Sequence, residues 1–190
     1  KQSGAAPAAA LPGIPRRRPD AFVPLTFAQE SLWFLWRLDP ASTAYTIPAA
    51  ARLRGRLDAG ALQTALSCIV SRHDILRTVF RETDGQAGQV ILPAAGPAVD
   101  MEDLRQMPQC DQERAARERM RQEALKPFDL ERGPLLRILL LRLGAPDGEC
   151  CDHILVMTLH HMVADAWSVE IFVRELSGAY GAARRGETPA

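Results

Sequence analysis

Residues Leu135–Leu143 read Leu-Leu-Arg-Ile-Leu-Leu-Leu-Arg-Leu, a nearly continuous apolar run. A strand with apolar side chains on both pleat faces has to be covered on both, so it belongs inside a flanked sheet. Gly144–Gly148 turns the chain back. Cys151–Leu159 then supplies a second strand, rich in β-branched and large apolar residues. It runs into His160-His161-Met162-Val163-Ala164-Asp165-Ala166-Trp167-Ser168. Beyond that stretch Val169, Phe172, Val173, Leu176 and Tyr180 recur at helical spacing, so an amphipathic helix leads away and fades over Gly178–Gly186. The pattern predicts an α/β chain whose sheet is flanked by helices.

The histidine pair and Asp165 therefore fall on a strand-to-helix turn. Successive strand side chains point to opposite faces, so His160 and His161 do not share a cavity: one is structural, the other free for chemistry. His153, within the strand, reads as a hydrogen-bonded core residue. The pair with Asp165 offers metal-ligand types, but neighbouring strand residues diverge. No Cys-x-x-Cys or His-Glu-x-x-His spacing supports a metal site.

Length and charge narrow the alternatives. The 190 residues suffice for one full core, and 23 basic residues balance 23 acidic ones. Without a basic cluster, nucleic-acid binding lacks its electrostatic footprint. No apolar run reaches membrane-spanning length, and no charged-then-apolar leader starts at Lys1, so neither insertion nor secretion is indicated. Cys68, Cys110, Cys150 and Cys151 lack framework spacing and read as reduced thiols of a cytoplasmic protein. There is no Gly-rich phosphate loop and no Gly-x-Ser-x-Gly elbow, so nucleotide use and serine hydrolysis lack support.

Along the chain, residues 1 to about 22 are rich in Ala, Pro, Gly and Arg and read as a linker, its composition hinting at a preceding domain. Thr26 is a candidate N-cap. The helix that follows carries Phe27, Leu32, Trp33, Phe34, Leu35, Trp36 and Leu38 around almost its whole circumference, which predicts a buried helix ending at Asp39-Pro40. Tyr45–Leu53 reads as an extended segment interrupted by Pro48, which suits a sheet edge or a strand start. Asp58 caps a helix with the stripe Leu62, Ala65, Leu66, Ile69 and Val70. Short strands are expected at Gln89–Leu92, after the Asp84-Gly85 turn, and at Val99–Leu104. Asp111–Leu125 reads as a charged, mostly exposed helix, and Thr188-Pro189-Ala190 as the start of a connector.

Three motifs and one further stretch carry a resemblance. His160-His161-x-x-x-Asp165-x-Trp167-Ser168 resembles the signature of the condensation domains of nonribosomal peptide synthetases, in the chloramphenicol acetyltransferase-like superfamily. Ala28-Gln29 followed by Leu32-Trp33 is similar to that family's first motif, with Thr26 in place of the usual Ser and Ser31 in place of the common Arg. Arg72-His73-Asp74-Ile75-Leu76-Arg77-Thr78-Val79-Phe80 resembles the second motif, Asp74 standing for Glu. Pro127-Phe128-Asp129-Leu130 before Gly133-Pro134-Leu135 resembles a further recurrent stretch. Trp167 before Ser168 resembles condensation rather than epimerisation domains, and the histidines argue against a heterocyclisation domain.

The resemblance implies a mixed β-sheet flanked by helices, one lobe of a two-lobed chloramphenicol acetyltransferase-like fold. Residues 23–190 would be the N-terminal lobe, with a C-terminal lobe absent and residues 1–22 following an upstream carrier domain. It implies that an acceptor amine attacks a donor thioester to form an amide, extending a peptide. No cofactor is bound directly, since carrier proteins deliver phosphopantetheine arms. An activated thioester needs neither ATP nor metal at this step. The implied partners are upstream donor and downstream acceptor peptidyl carrier proteins, the missing lobe and a neighbouring adenylation domain. His161 is the expected catalytic residue, as base or by positioning the amine, and His160 the structural one. Asp165 is expected to be buried against an arginine of the second motif, Arg72 or alternatively Arg77, because an unpaired buried carboxylate is costly. Ala166, where the family usually has Gly, would line the pantetheine tunnel with Trp167 and Ser168, and its methyl group narrows that space. The lobe alone is expected to be inactive. Two alternatives remain: a non-catalytic carrier-protein-binding module, and an oligomeric acyltransferase of the same superfamily.

Overall fold

The computed structural model describes residues 22–145 and 152–189. The linker read at residues 1–22 therefore lies outside the described residues but for Phe22. So do Cys150, Cys151, Ala190 and most of the Gly144–Gly148 turn. The chain runs β1 (Val23–Pro24), α1 (Phe27–Leu38), β2 (Thr46–Arg54), α2 (Ala59–Arg72), β3 (Thr78–Thr83) and β4 (Gln86–Ile91). It continues with β5 (Val99–Asp103), α3 (Gln109–Ala124), β6 (Leu136–Leu143), β7 (Asp152–His160) and α4 (Ala166–Arg184).

The apolar run becomes β6, at the interior of a four-stranded sheet ordered β2-β7-β6-β5. β6 and β2 pair antiparallel with β7, whereas β5 runs parallel to β6, so the sheet is mixed. Both of its faces are covered, as the run requires. On one face, Ile138 and Leu140 of β6 with Leu155 and Met157 of β7 pack against Leu66 and Ile69 of α2 and Phe172 and Leu176 of α4. The intervening residues Leu139, Leu141, Ile154 and Val156 face Ala116 of α3. β2 lies at the edge, where a proline costs no ladder bond on its outer side.

A second sheet, β1-β4-β3, is antiparallel. The β3–β4 hairpin closes through Asp84 (φ 53°) and Gly85 (φ 76°), the left-handed pair that a two-residue loop matched to strand twist requires. β4 consequently starts at Gln86, three residues earlier than the sequence pattern suggests. Phe80 of β3 joins Leu25, Trp33, Phe128, Leu130 and Leu135 in a separate cluster beneath α1.

One helix departs from the pattern read in the sequence. α1 is not buried all round: Trp33 is buried, but Phe27 is 89% exposed, Phe34 62% and Leu38 67%. The described residues pack one side of this helix and place nothing over the other. α4 ends inside the Gly178–Gly186 stretch, as the pattern suggests. It runs through Gly178 and Gly181 to Arg184. The stop comes from Gly186 (φ 73°), with Gly186 N–H donating to the Ala183 carbonyl (3.0 Å) and Glu187 N–H to the Ala182 carbonyl (3.0 Å), a Schellman end.

The α2 stripe is fully enclosed, Ala65, Leu66 and Ile69 each being 0% exposed. Leu66→Ala leaves a cavity between helix and sheet and is expected to cost about 2–5 kcal/mol in urea-unfolding free energy. The exposed Thr64→Ala, on the same helix, is expected to stay within about 0.5 kcal/mol.

Candidate active site

Strand alternation persists through the last residue of β7, and it separates the two histidines. His160 is 5% exposed, while His161, the first residue of the turn, faces solvent. The His160 and Phe128 rings pack in a T-shaped arrangement (centroids 5.8 Å apart, planes at 76°). Phe128 is itself held in place, with the Arg137 guanidinium 3.7 Å from its centroid and Trp36 Nε1 donating to its carbonyl (3.1 Å).

His160 also builds the turn. Its Nδ1 accepts from Met162 N–H (3.1 Å), so a neutral ring carries its proton on Nε2. Its carbonyl accepts from Val163 N–H (3.0 Å), and its own N–H donates to the Leu135 carbonyl (3.1 Å). His161 N–H donates to the Tyr45 carbonyl (2.9 Å) at the start of β2. Burial, with a smaller contribution from the neighbouring His161, lowers the His160 pKa to about 4, so the ring is neutral at physiological pH. A buried neutral imidazole thus sets the backbone from which His161 projects. One histidine is buried and the next exposed, as strand parity predicts. His153 is buried as expected, and desolvation lowers its pKa.

Asp165 is not where the resemblance implies. It is exposed and caps α4, its Oδ1 accepting from Ser168 N–H (2.8 Å) and Ser168 Oγ–H (2.6 Å). Those two bonds hold its carboxyl below the usual carboxylate range. Arg72 instead donates to Glu175 of α4 (3.2 Å), which also meets His73 Nε2 at 2.8 Å. Arg77 bonds the Leu92 carbonyl and Asp74. The expected arginine–Asp165 pair is therefore absent among the described residues. The reason is that a carboxylate at a solvent-facing helix N-terminus finds its donors locally and needs no cation.

Ala166 opens α4, and Trp167 beside it is 71% exposed. Among the described residues Asp84 alone of the non-glycines has positive φ, so Ala166 occupies a backbone region open to any L residue. Ser168 lines a small cavity of about 160 Å³ with Val163, Ala164, Phe172 and His73. The structure thus brings His161, Asp165, Ala166, Trp167 and Ser168 together, and leaves Arg72 and Arg77 in separate ion-pair networks. Gln29, quoted above in the first motif but given no role at the site, donates from its Nε2 to the Met162 carbonyl (3.2 Å). A signal for it exists in the sequence: Gln three residues after Thr26 is a capping-box spacing, and the box forms.

The depressed His160 pKa has a pH signature. The unfolded ring takes up a proton near pH 6.5 and the folded one only near 4, so the stabilisation is complete above 6.5 and is lost as pH falls towards 4. The expected loss is about 3 kcal/mol from this residue across that window. Unfolding titrations of the wild type and His160→Asn are expected to show a shallower acid slope in the variant.

The matches to known proteins span the turn and the sheets around it. A model of the condensation domain matches residues 20–190. A linear gramicidin synthase of Brevibacillus parabrevis is 44% identical over 176 residues, which is 93% of this chain but 2% of that protein. A substituted form of the starter condensation domain of the rhizomide synthetase RzmA superposes with a TM-score of 0.81 at 26% identity, over 90% of this chain and 40% of that one. The X-domain from teicoplanin biosynthesis superposes at 0.78 with 33% identity, over 95% of this chain and 36% of that one. The chain therefore spans about two fifths of these solved structures. Since the matched span holds the histidine turn and both sheets that position it, this chain belongs to the condensation-domain family.

Proposed function

We propose that this chain contributes the histidine-bearing lobe to amide formation between two carrier-bound substrates in nonribosomal peptide synthesis. The observation that carries the reading is His161, solvent-facing on a turn pinned by the buried, neutral His160. The acceptor amine attacks the donor thioester carbonyl, a C–N bond forms and the C–S bond breaks. One proton leaves the amine and ends on the departing thiolate. His161 acts either by accepting that proton or by holding the amine in line, and either role needs an outward ring on a fixed backbone. The thioesters, on phosphopantetheine arms, are substrates brought by upstream and downstream carrier proteins, with adenylation domains loading those carriers. The setting is cytoplasmic. No helix among the described residues is long and apolar enough to cross a membrane.

Residues 23–190 act in this reading as the N-terminal lobe, and residues 1–22 as the connection to an upstream carrier domain. A second lobe closes the site. The exposed Phe27, Phe34 and Leu38 face of α1 and the open side of His161 support the need for it. Isolated residues 1–190 are then expected to form no amide. Asp165 acts through the Ser168 cap that starts α4, not through an ion pair. Ala166 and Trp167 lie at the lip where the pantetheine arms would arrive.

The test uses the complete domain with donor and acceptor loaded on carrier proteins. His161→Ala is expected to lower the rate of amide formation by about 10²–10⁴-fold with the fold intact by circular dichroism. A folded wild type that makes no product would instead favour a carrier-binding module without catalysis, and a His161→Ala variant as fast as wild type would remove His161 from the reaction.

A further inference from the structure

We infer that Gln29 is a positioning residue for His161, holding the histidine turn against α1. The inference rests on the condensation reading above. Gln29 sits at the third position of α1, half-buried, and its amide is used at both ends. Its Oε1 accepts from Thr26 N–H (3.0 Å), completing the reciprocal cap in which Gln29 N–H donates to Thr26 Oγ1 (3.3 Å). Its Nε2 crosses to the Met162 carbonyl (3.2 Å), 133 residues away in sequence.

That carbonyl belongs to the residue after His161, in the peptide joining Met162 to Val163. The turn has an internal anchor at Met162 N–H, on His160 Nδ1, and another at Val163 N–H, on the His160 carbonyl. Its N-terminal side is fixed by His161 N–H on the Tyr45 carbonyl. The Met162 carbonyl takes the Gln29 amide from outside the turn. A rotation of the 162–163 peptide would displace Met162 and, through the bond between them, His161; the Gln29 amide opposes that rotation from the carbonyl side as the His160 carbonyl does from the Val163 N–H side. Glutamine is suited to the task because one planar group both accepts and donates. Glutamate supplies the acceptor alone, and lysine the donor alone.

α1 is tied to the same region again through Trp36 Nε1 on the Phe128 carbonyl, and Phe128 packs against His160. The helix is thus fastened near its start to the turn and near its end to the support of the structural histidine. A shift of α1 would be transmitted to the ring of His161 without any contact between the two.

Gln29→Glu and Gln29→Lys separate the two halves of the amide in the complete domain, assayed with carrier-loaded donor and acceptor. Gln29→Glu keeps the cap and loses the bond to Met162. It is expected to lower kcat by about 10-fold to 100-fold, as small misplacements of reacting groups do. KM for both loaded carriers and the melting temperature are expected to stay near wild type. Gln29→Lys, which can still reach the carbonyl, is expected to retain the larger part of kcat. In Gln29→Glu the His161 ring resonances are expected to move while those of His153 do not. Wild-type kcat in Gln29→Glu, or equal losses in both variants, overturns the positioning role and leaves the condensation reading standing. A folded wild type without amide product overturns both.

Discussion

The alternation of side chains along β7 is the constraint on which the histidine turn depends. β7 lies between β2 and β6, with Leu155, Met157 and Leu159 committed to the α2–α4 core and Ile154 and Val156 to the α3 side. A slip by one residue would exchange those sets, so the register is fixed by the burial of both faces. The register then decides the fate of the last residue. His160 goes inward against Phe128, and the next residue, His161, goes outward. Burying an imidazole is tolerable here because the neutral ring accepts one backbone N–H and packs in a T-shaped arrangement with an aromatic ring.

Local satisfaction of polar groups also governs the start of α4. Asp165 sits at a helix N-terminus, where unsatisfied N–H groups and the helix dipole favour a carboxylate. Its bonds to Ser168 give a rigid step from the turn into the helix, and the exposed indole of Trp167 follows from that direction. The cations of the second motif serve a different junction. Arg72 and His73 share Glu175, fastening the end of α2 to the middle of α4, whereas Arg77 closes a local loop with Asp74 and the Leu92 carbonyl. These contacts hold the helices over the sheet and leave the turn to its own hydrogen bonds.

Much of this was legible in the sequence because it depends on short-range patterns. The 3.6-residue stripe of α2, the two-faced β6, the edge proline of β2 and the Asp58 cap all follow from periodicity and local chemistry. The opposed histidines follow from strand parity alone. What failed depends on partners distant in sequence. The apolar circumference of α1 says that two faces want burial, but the described residues cover only the side bearing Trp33. The Arg72–Asp165 expectation assumed a buried carboxylate, and burial at a strand-to-helix turn is set by what packs above it. Gln29 reaches Met162 across the fold, and its cap spacing gives no hint of that second bond.

The most direct measurement of the central claim is a histidine side-chain ¹⁵N titration of the folded protein, with His160 and His161 assigned through His160→Asn and His161→Ala. His160 is expected to show the Nε2–H tautomer, with a bare Nδ1, and to stay neutral until the pH falls to about 4. A His160 ring that takes up its proton near pH 6.5, or carries it on Nδ1 when neutral, would contradict the buried anchor and with it the fixed outward setting of His161.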